Sequence, residues 1–200
     1  VRADDDTGLG VIEDVDIVGN VNVPFNTGDP STRLLVAEDS IGPVLIDGDV
    51  TLAWLQAAQT ADGEVGDGTA DFTGGVQVTG VTTNLLLDGD LVGASPAFES
   101  GDDVDRVTIT GDLTGDDDPA TPDVLVDGDL GGMRVEGALL TDGAVPFRME
   151  ADDIGRLFVQ EQLTPDENLV VDVPWMYFAS PTLPDPNWTV DLSAPAFRSN

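Results

Sequence analysis

The sequence predicts an all-β protein, an irregular right-handed parallel β-helix or β-solenoid. Three observations predict this fold class: a short motif that recurs along the chain, the alternation of apolar and polar residues within each copy, and a preference for Asp over Glu. Of the 39 acidic residues, 31 are Asp. Because Asp favours turns and Glu is the better helix former, the acidity indicates turns. A β-sandwich is the alternative fold.

The motif is apolar-x-apolar-x-Gly-x-apolar. Full copies occupy residues 15–21, 44–50, 85–91, 107–113 and 124–130, and weaker copies occupy 76–81, 133–139 and 157–163. Such internal similarity is the sequence signature of stacked repeats. Each copy has the period of two that is typical of a strand with one buried face.

The position of Asp-Gly within the motif separates the two folds. A sandwich places Asp-Gly in hairpin turns between strands of opposite direction. Here the pair lies inside a unit that recurs in one chain sense, which favours the corners of successive coils. The steps Gly89 to Gly111 and Gly111 to Gly128 are interpreted as whole coils. A short helical turn is expected near residues 52–58.

Two regions are predicted: a solenoid over residues 1–163, with roughly six to eight coils at about 4.8 Å each, and a different segment over residues 164–200. This second segment carries six of the 13 prolines and five of the 11 aromatic residues. It is expected either to cap the open end of the solenoid or to dock on the next subunit by strand addition. The aromatic residues assigned to assembly are Trp175, Tyr177, Phe178, Trp188 and Phe197.

The formal net charge of −32 far exceeds the magnitude of about 2–8 that is usual for a small domain. A surface this negative repels nucleic acid and anionic membranes and attracts divalent cations. No apolar run approaches the roughly 18 residues of a membrane helix. Since the chain begins at Val1 and not at Met, we expect a processed product or a fragment.

The missing residue types exclude several chemistries. The chain has no Cys and no His, and its seven basic residues are all Arg. Disulfides, Cys/His zinc sites, iron–sulfur ligation by Cys, and Ser-His or Cys-His nucleophiles are therefore excluded, as is Schiff-base chemistry by Lys. We expect no haem, zinc or nucleotide cofactor.

Calcium is the expected cofactor, because the motif glycines are flanked by pairs of acids two residues apart. Such pairs project to one side of an extended segment. Stacked in register they would form columns of like charge, which are destabilising unless a cation with many oxygen ligands neutralises them. The alternative is that each Asp caps its own Gly turn. The predicted calcium ligands in these pairs are Asp47, Asp49, Asp88, Asp90, Asp127 and Asp129.

A second candidate calcium site is the acidic, glycine-containing loop over residues 62–71. Its predicted ligands are Asp62, Glu64, Asp67 and Asp71. Their spacing does not match an EF-hand, and a solvated acidic loop is the alternative.

Catalysis is not predicted. Two carboxylates suffice for a glycosidase, and metal-assisted lyase chemistry can use an Arg, so Arg106, Arg134 and Arg156, which flank strands, are the first candidates. However, Asp is so abundant that carboxylate pairs carry little information. The arginines are better interpreted as neutralising neighbouring acids.

The units at residues 46–50, 87–91 and 126–130 resemble those of secreted right-handed parallel β-helix proteins. They are also faintly similar to bactofilins, the cytoskeletal β-helix polymers, from whose compact coils this chain departs in its acidity and long loops. The resemblance covers about three quarters of the chain. It implies the fold and a tendency to self-associate, and it implies no catalytic residue.

These observations predict a non-enzymatic structural protein at an extracellular or cell-surface location. We expect it to assemble head to tail with copies of itself into filaments, stabilised by cations. The alternative is a β-helix that binds or cleaves polysaccharide. No nucleic-acid partner and no membrane span are expected.

Overall fold

The chain forms a parallel β-solenoid, which confirms the predicted fold class. The structure is a computed structural model that describes residues 2–3, 11–24, 29, 32–37, 40–57, 71–92, 96–115, 120–141, 147–159 and 169–172. Every strand pair among these residues is parallel. A β-sandwich built from hairpins would require antiparallel pairs, so that alternative is wrong. The handedness of the coils stays a prediction.

The strands are short and follow one another at corners. In chain order they are β1 (Arg2–Ala3), β2 (Val15–Val18), β3 (Val21–Asn22), β4 (Leu35–Ala37), β5 (Val44–Asp47), β6 (Val50–Gln56), β7 (Asp71–Thr73), β8 (Val76–Val78), β9 (Leu85–Asp88), β10 (Asp90–Val92), β11 (Phe98–Ser100), β12 (Val107–Ile109), β13 (Leu113–Gly115), β14 (Val124–Val126), β15 (Asp129–Leu130), β16 (Met133–Val135), β17 (Leu139–Thr141), β18 (Phe147–Glu150), β19 (Asp153–Ile154), β20 (Leu157–Val159) and β21 (Leu169–Asp172).

The described strands stack into four sheets, which each coil visits in the same order. Sheet 1 is β7-β10-β13-β17, and sheet 2 is β2-β5-β8-β11-β14-β18-β21. Sheet 3 is the narrow pair β15-β19, and sheet 4 is β1-β4-β6-β9-β12-β16-β20, which β3 joins through β6. Single bridges at Val50, Thr82 and Val104 extend sheet 3 toward the earlier coils.

The core lies inside the coils, where the apolar residues of each motif copy meet. Alternation along β12, β16 and β20 buries the first and third residue of each strand and leaves the second half-exposed. Stacking places like residues on one another: Val107 faces both Leu85 and Met133 in register. Three phenylalanines, Phe72, Phe98 and Phe147, are among the largest fully buried side chains.

The coils differ in length, as the irregular spacing of the motif predicts. Hydrogen bonds between neighbouring coils join residues that are 22 positions apart at Asp90 and Asp112 and 32 apart at Asp47 and Thr79. The extra residues lie between strands in the sequence, and the register of the described sheets is kept.

Two details of the sequence interpretation are wrong. Gly111 does stack on Gly89, whose carbonyl accepts its N–H at 3.2 Å, but the next residue in that stack is Gly137 and not Gly128. The loop before β14 lengthens that coil, which the glycine spacing alone cannot show. The helical turn expected near residues 52–58 is replaced through Gln56 by strand β6, because Ala53 and Leu55 pair with β9 and fill the core.

Strand β21 continues sheet 2 beyond residue 163, pairing with β18 over four residues. The division at residue 163 stays a prediction.

Candidate functional site

The corner between sheets 4 and 1 shows what the second Asp of the motif does. The Asp112 N–H donates to Oδ1 of Asp90 at 2.8 Å, and the Ala138 N–H donates to Oδ1 of Asp112 at 2.7 Å. Each carboxylate therefore accepts from the backbone of the coil that follows its own. Hydrogen bonds from a neutral amide to an ionised carboxylate are among the stronger ones in proteins, so these side chains hold successive coils together.

The corner between sheets 2 and 3 repeats the arrangement. The Val81 N–H donates to Oδ1 of Asp49 at 3.1 Å, and the Asp129 N–H donates to Oδ1 of Asp103 at 2.9 Å. In the earliest described coil Asn20 takes the place of Asp: its Oδ1 accepts the Asp49 N–H, and its Nδ2 donates to Oδ2 of Asp49, both at 3.1 Å. An amide oxygen at this position therefore also accepts the N–H of the next coil.

The motif glycine is required by the carboxylate of the preceding coil. A Cβ on Gly111 would overlap Oδ1 of Asp90 and lie 2.8 Å from its backbone nitrogen. The Asp and the Gly of one motif copy thus contact different coils. The Gly leaves space for the carboxylate of the preceding coil, and the Asp accepts an N–H from the following coil. The same overlap occurs at Gly80, Gly128 and Gly137, over Asp49, Asp103 and Asp112 respectively.

The first Asp of the motif bonds to side chains of the neighbouring coils. Oδ1 of Asp88 accepts the Thr110 hydroxyl at 2.9 Å, and Oδ2 of Asp88 accepts Nε2 of Gln56 at 2.8 Å. In the same way Oδ1 of Asp47 accepts the Thr79 hydroxyl at 3.0 Å. Four of the predicted calcium ligands therefore make hydrogen bonds between coils.

The other predicted ligands are less constrained. Asp127 and Asp129 are exposed, and Asp129 faces Asp153 in register. Asp71 begins β7 opposite Asp90. Asp62, Glu64 and Asp67 lie outside the described residues, as do the aromatic residues assigned to assembly, Trp175, Tyr177, Phe178, Trp188 and Phe197.

Within the described ranges, no group of three or more acidic side chains is arranged to hold a metal ion. The calcium site stays a prediction. The alternative, in which each Asp caps its own turn, is wrong at Asp49 and Asp90, because the capped amide belongs to the next coil.

The sequence interpretation missed three corner acids, Asp103, Asp112 and Asp123. Asp112 follows Gly111 in a full motif copy and was therefore identifiable. Asp123 is only 3% exposed, and its Oδ2 accepts the Arg148 N–H at 2.7 Å. It lies beside no motif glycine, so nothing in the local pattern marks it.

A groove of about 580 Å³ lies on the outside of the solenoid where sheet 3 meets sheet 4. It crosses the coils that contain β12, β16 and β20. Three of the seven arginines of the chain line it. The lining residues that bear on its chemistry are Asp105, Arg106, Thr108, Gly132, Arg134, Arg156 and Phe158.

Arg134 is held in place on the wall of this groove. Its Nε donates to Oε1 of Glu136 at 2.8 Å, and its guanidinium lies 4.3 Å from the centroid of the Phe158 ring. Arg148 makes a similar ion pair with Glu150 on sheet 2. For these two arginines the expected neutralisation of neighbouring acids is confirmed.

Arg106 and Arg156 differ from Arg134. Both are exposed, and among the described residues neither has an ion pair or hydrogen bond through its guanidinium. The residue between them in the stack is Gly132, as the pairing of Val107 with Met133 and of Met133 with Leu157 shows. For these two arginines the expected neutralisation of neighbouring acids stays a prediction.

Comparisons with family models, with curated proteins and with solved structures found no match to this chain. In the part of the chain that the structure describes, no helix is long and apolar enough to cross a membrane.

Proposed function

We propose that this chain is a non-enzymatic structural protein, a rigid acidic rod that assembles with copies of itself. The observation that carries the proposal is the use of acidic side chains at the corners. Asp49, Asp90, Asp103 and Asp112 each accept a backbone N–H from the following coil. At these four positions the carboxylates join one coil to the next, which is what a structural role requires.

Strand edges that have no partner among the described residues support end-to-end assembly. Strand β2 pairs with β5 on one side, and β21 pairs with β18 on one side. Among the described residues nothing pairs with the other edge of either strand. An exposed edge is a template for another strand, and a contact between unlike ends of identical subunits produces a filament.

Cation stabilisation and an extracellular or cell-surface location belong to the same proposal. Corner acids of successive coils lie about 4.8 Å apart, as Asp129 and Asp153 do in register. Such a column of charge concentrates divalent cations. The location rests on the resemblance of the motif to secreted solenoids.

Electron microscopy and sedimentation velocity on the full chain, with and without calcium, test this proposal. We expect filaments or a concentration-dependent series of oligomers. Strictly monomeric particles in both conditions, up to high protein concentration, would show that the proposal is wrong.

An edge variant sharpens the test. The Val15 N–H bonds to the carbonyl of Pro43 in β5, so the N–H of the next residue, Asp16, points to the open edge. Asp16→Pro removes that donor without breaking a bond within the solenoid, and Asp16→Asn is the matched control that keeps it. We expect Asp16→Pro alone to shorten or abolish filaments while the circular dichroism spectrum is unchanged.

The groove favours a second candidate function, carbohydrate binding. Its volume of about 580 Å³ falls within the range of roughly 300–1,000 Å³ that is usual for ligand sites. A glycan array with calcium present, together with an assay for newly formed sugar ends, tests binding and cleavage. An array without bound glycan, together with no new sugar ends, would show that this second function is wrong.

A further inference from the structure

The groove has a charge that contrasts with the rest of the chain. Its lining contains three arginines and one acid, Asp105, whereas the whole chain has 39 acids and seven arginines. Gathering like charges on one surface is unfavourable unless something of opposite charge lies between them. Arg134 has Glu136, but no described acid pairs with Arg106 or Arg156.

The position of Arg106 and Arg156 makes them a pair. They occupy the same register row two coils apart, with Gly132 in the intervening coil, so their backbones are separated by about 10 Å. Since Gly132 has no side chain, nothing from the row itself fills the space between them. A Cβ on Gly132 would make only ordinary van der Waals contacts, the nearest at 3.8 Å to the backbone oxygen of Arg156, so the backbone leaves room for an added group there.

We propose that this groove is an oxyanion-binding site, in which Arg106 and Arg156 close on a carboxylate, sulfate or phosphate group above Gly132. A guanidinium offers planar, paired N–H donors that match the oxygens of such a group. Arg134, fixed by Glu136 and by the Phe158 ring, adds a third positive charge beside it.

The rest of the groove indicates the kind of ligand. A volume of about 580 Å³ exceeds that of a free inorganic ion and suits a small organic molecule. Asp105 and Thr108 also line the groove, and a carboxylate and a hydroxyl are partners for hydroxyl groups. The ligand is therefore a small polyhydroxylated compound that carries an oxyanion. The inference goes beyond the structural role and does not depend on assembly.

Calorimetric titration of the full chain tests the site. The probes are sodium sulfate, sodium phosphate and glucuronate, each compared with sodium chloride at equal ionic strength. Neutral glucose serves as the control for the sugar. We expect saturable binding of one anion per chain, at least tenfold tighter for glucuronate than for sulfate or phosphate. Equal affinity for the three would assign the site to a free inorganic ion and overturn the assignment of an organic ligand.

Three variants connect the binding to the groove. Arg106→Ser with Arg156→Ser, and separately Gly132→Leu, should each weaken binding at least tenfold, the first by removing the donors and the second by filling the gap without changing any charge. Arg148→Ser, which removes an arginine on sheet 2, should change affinity less than twofold. No saturable binding to any probe, or an equal loss in Arg148→Ser, would overturn the proposal. Loss of self-association without loss of anion binding would assign the groove to contacts between copies of the chain and would also overturn it.

Discussion

The corners and the groove use charge in opposite ways. At the corners, acids are abundant and their oxygens accept backbone N–H groups of the next coil, as Asp90 and Asp112 do. In the groove, arginines are concentrated, and Arg106 and Arg156 have no acidic partner among the described residues. The acids described at these corners are therefore structural, whereas the arginines of the groove are the charges that we propose to bind a ligand.

The largest expected effect on stability comes from substituting two glycines, one at a corner and one in the groove. Gly111→Val places a side chain on Oδ1 of Asp90, whereas the Cβ of Gly132→Val makes only ordinary contacts at 3.8 Å or more. Overpacking at the corner lowers the free energy of unfolding by about 1–3 kcal/mol or more. A surface substitution that overlaps no neighbour changes it by no more than about 0.5 kcal/mol. Urea unfolding of both variants measures the difference, and equal destabilisation would mean that the corner is not tightly packed.

Removing one corner carboxylate should have the next largest effect. Asp112→Ala leaves the buried Ala138 without the acceptor for its N–H, at a cost of about 1–3 kcal/mol. Asp112→Asn keeps an oxygen at the same place, as Asn20 does naturally, and should recover most of the loss. If Asn is as destabilising as Ala in thermal unfolding, the negative charge and not the acceptor is what matters.

Calcium should have a smaller effect. If the acid columns bind calcium, a concentration of ten times Kd adds about 1.4 kcal/mol of stability by mass action, which in a chain of this size raises the melting temperature by about 3–6 °C. Scanning calorimetry with calcium, with magnesium and with sodium chloride at matched ionic strength checks this. An equal rise of the melting temperature in all three salts would mean that the salts only screen the net charge.

The smallest effect is expected from the groove arginines. Arg106→Ser with Arg156→Ser should change the free energy of unfolding by no more than about 0.5 kcal/mol, because these are exposed side chains without described partners. Urea unfolding at low salt is the measurement. A loss of several kcal/mol would show that the pair stabilises the fold and is not reserved for a ligand.

The fold was predictable from the sequence because the motif repeats, in each coil, the residues that form its buried strand and its corner. The period of two identifies the buried row of each strand, and Asp-Gly within the motif indicates the corners. Coil length was not predictable: Gly111 stacks under Gly137, and no local pattern shows how many residues leave the coil between them. Strand β6 was missed for a similar reason, since its continuation to Gln56 is fixed by pairing with β9 and not by its own sequence.

The site was predictable only in part. The acids of the motif are visible, but their partners are backbone and side-chain groups 22 to 32 positions away, and those positions follow from the register of the coils. The groove is even harder to predict from the sequence. Arg106 and Arg156 are 50 residues apart in the chain, and only stacking brings them to one row with Gly132 between them.

The hydrogen bonds from backbone N–H groups to the side-chain oxygens of Asn20, Asp49, Asp90, Asp103 and Asp112 run in one direction along the chain. The oxygen belongs to the earlier coil and the N–H to the later one, from Asn20 and Asp49 through to Asp112 and Ala138. A ribosome therefore releases each of these side-chain oxygens before the backbone N–H that bonds to it. If the chain folds coil by coil from its N-terminal end, each of these acceptors is in place before its donor arrives.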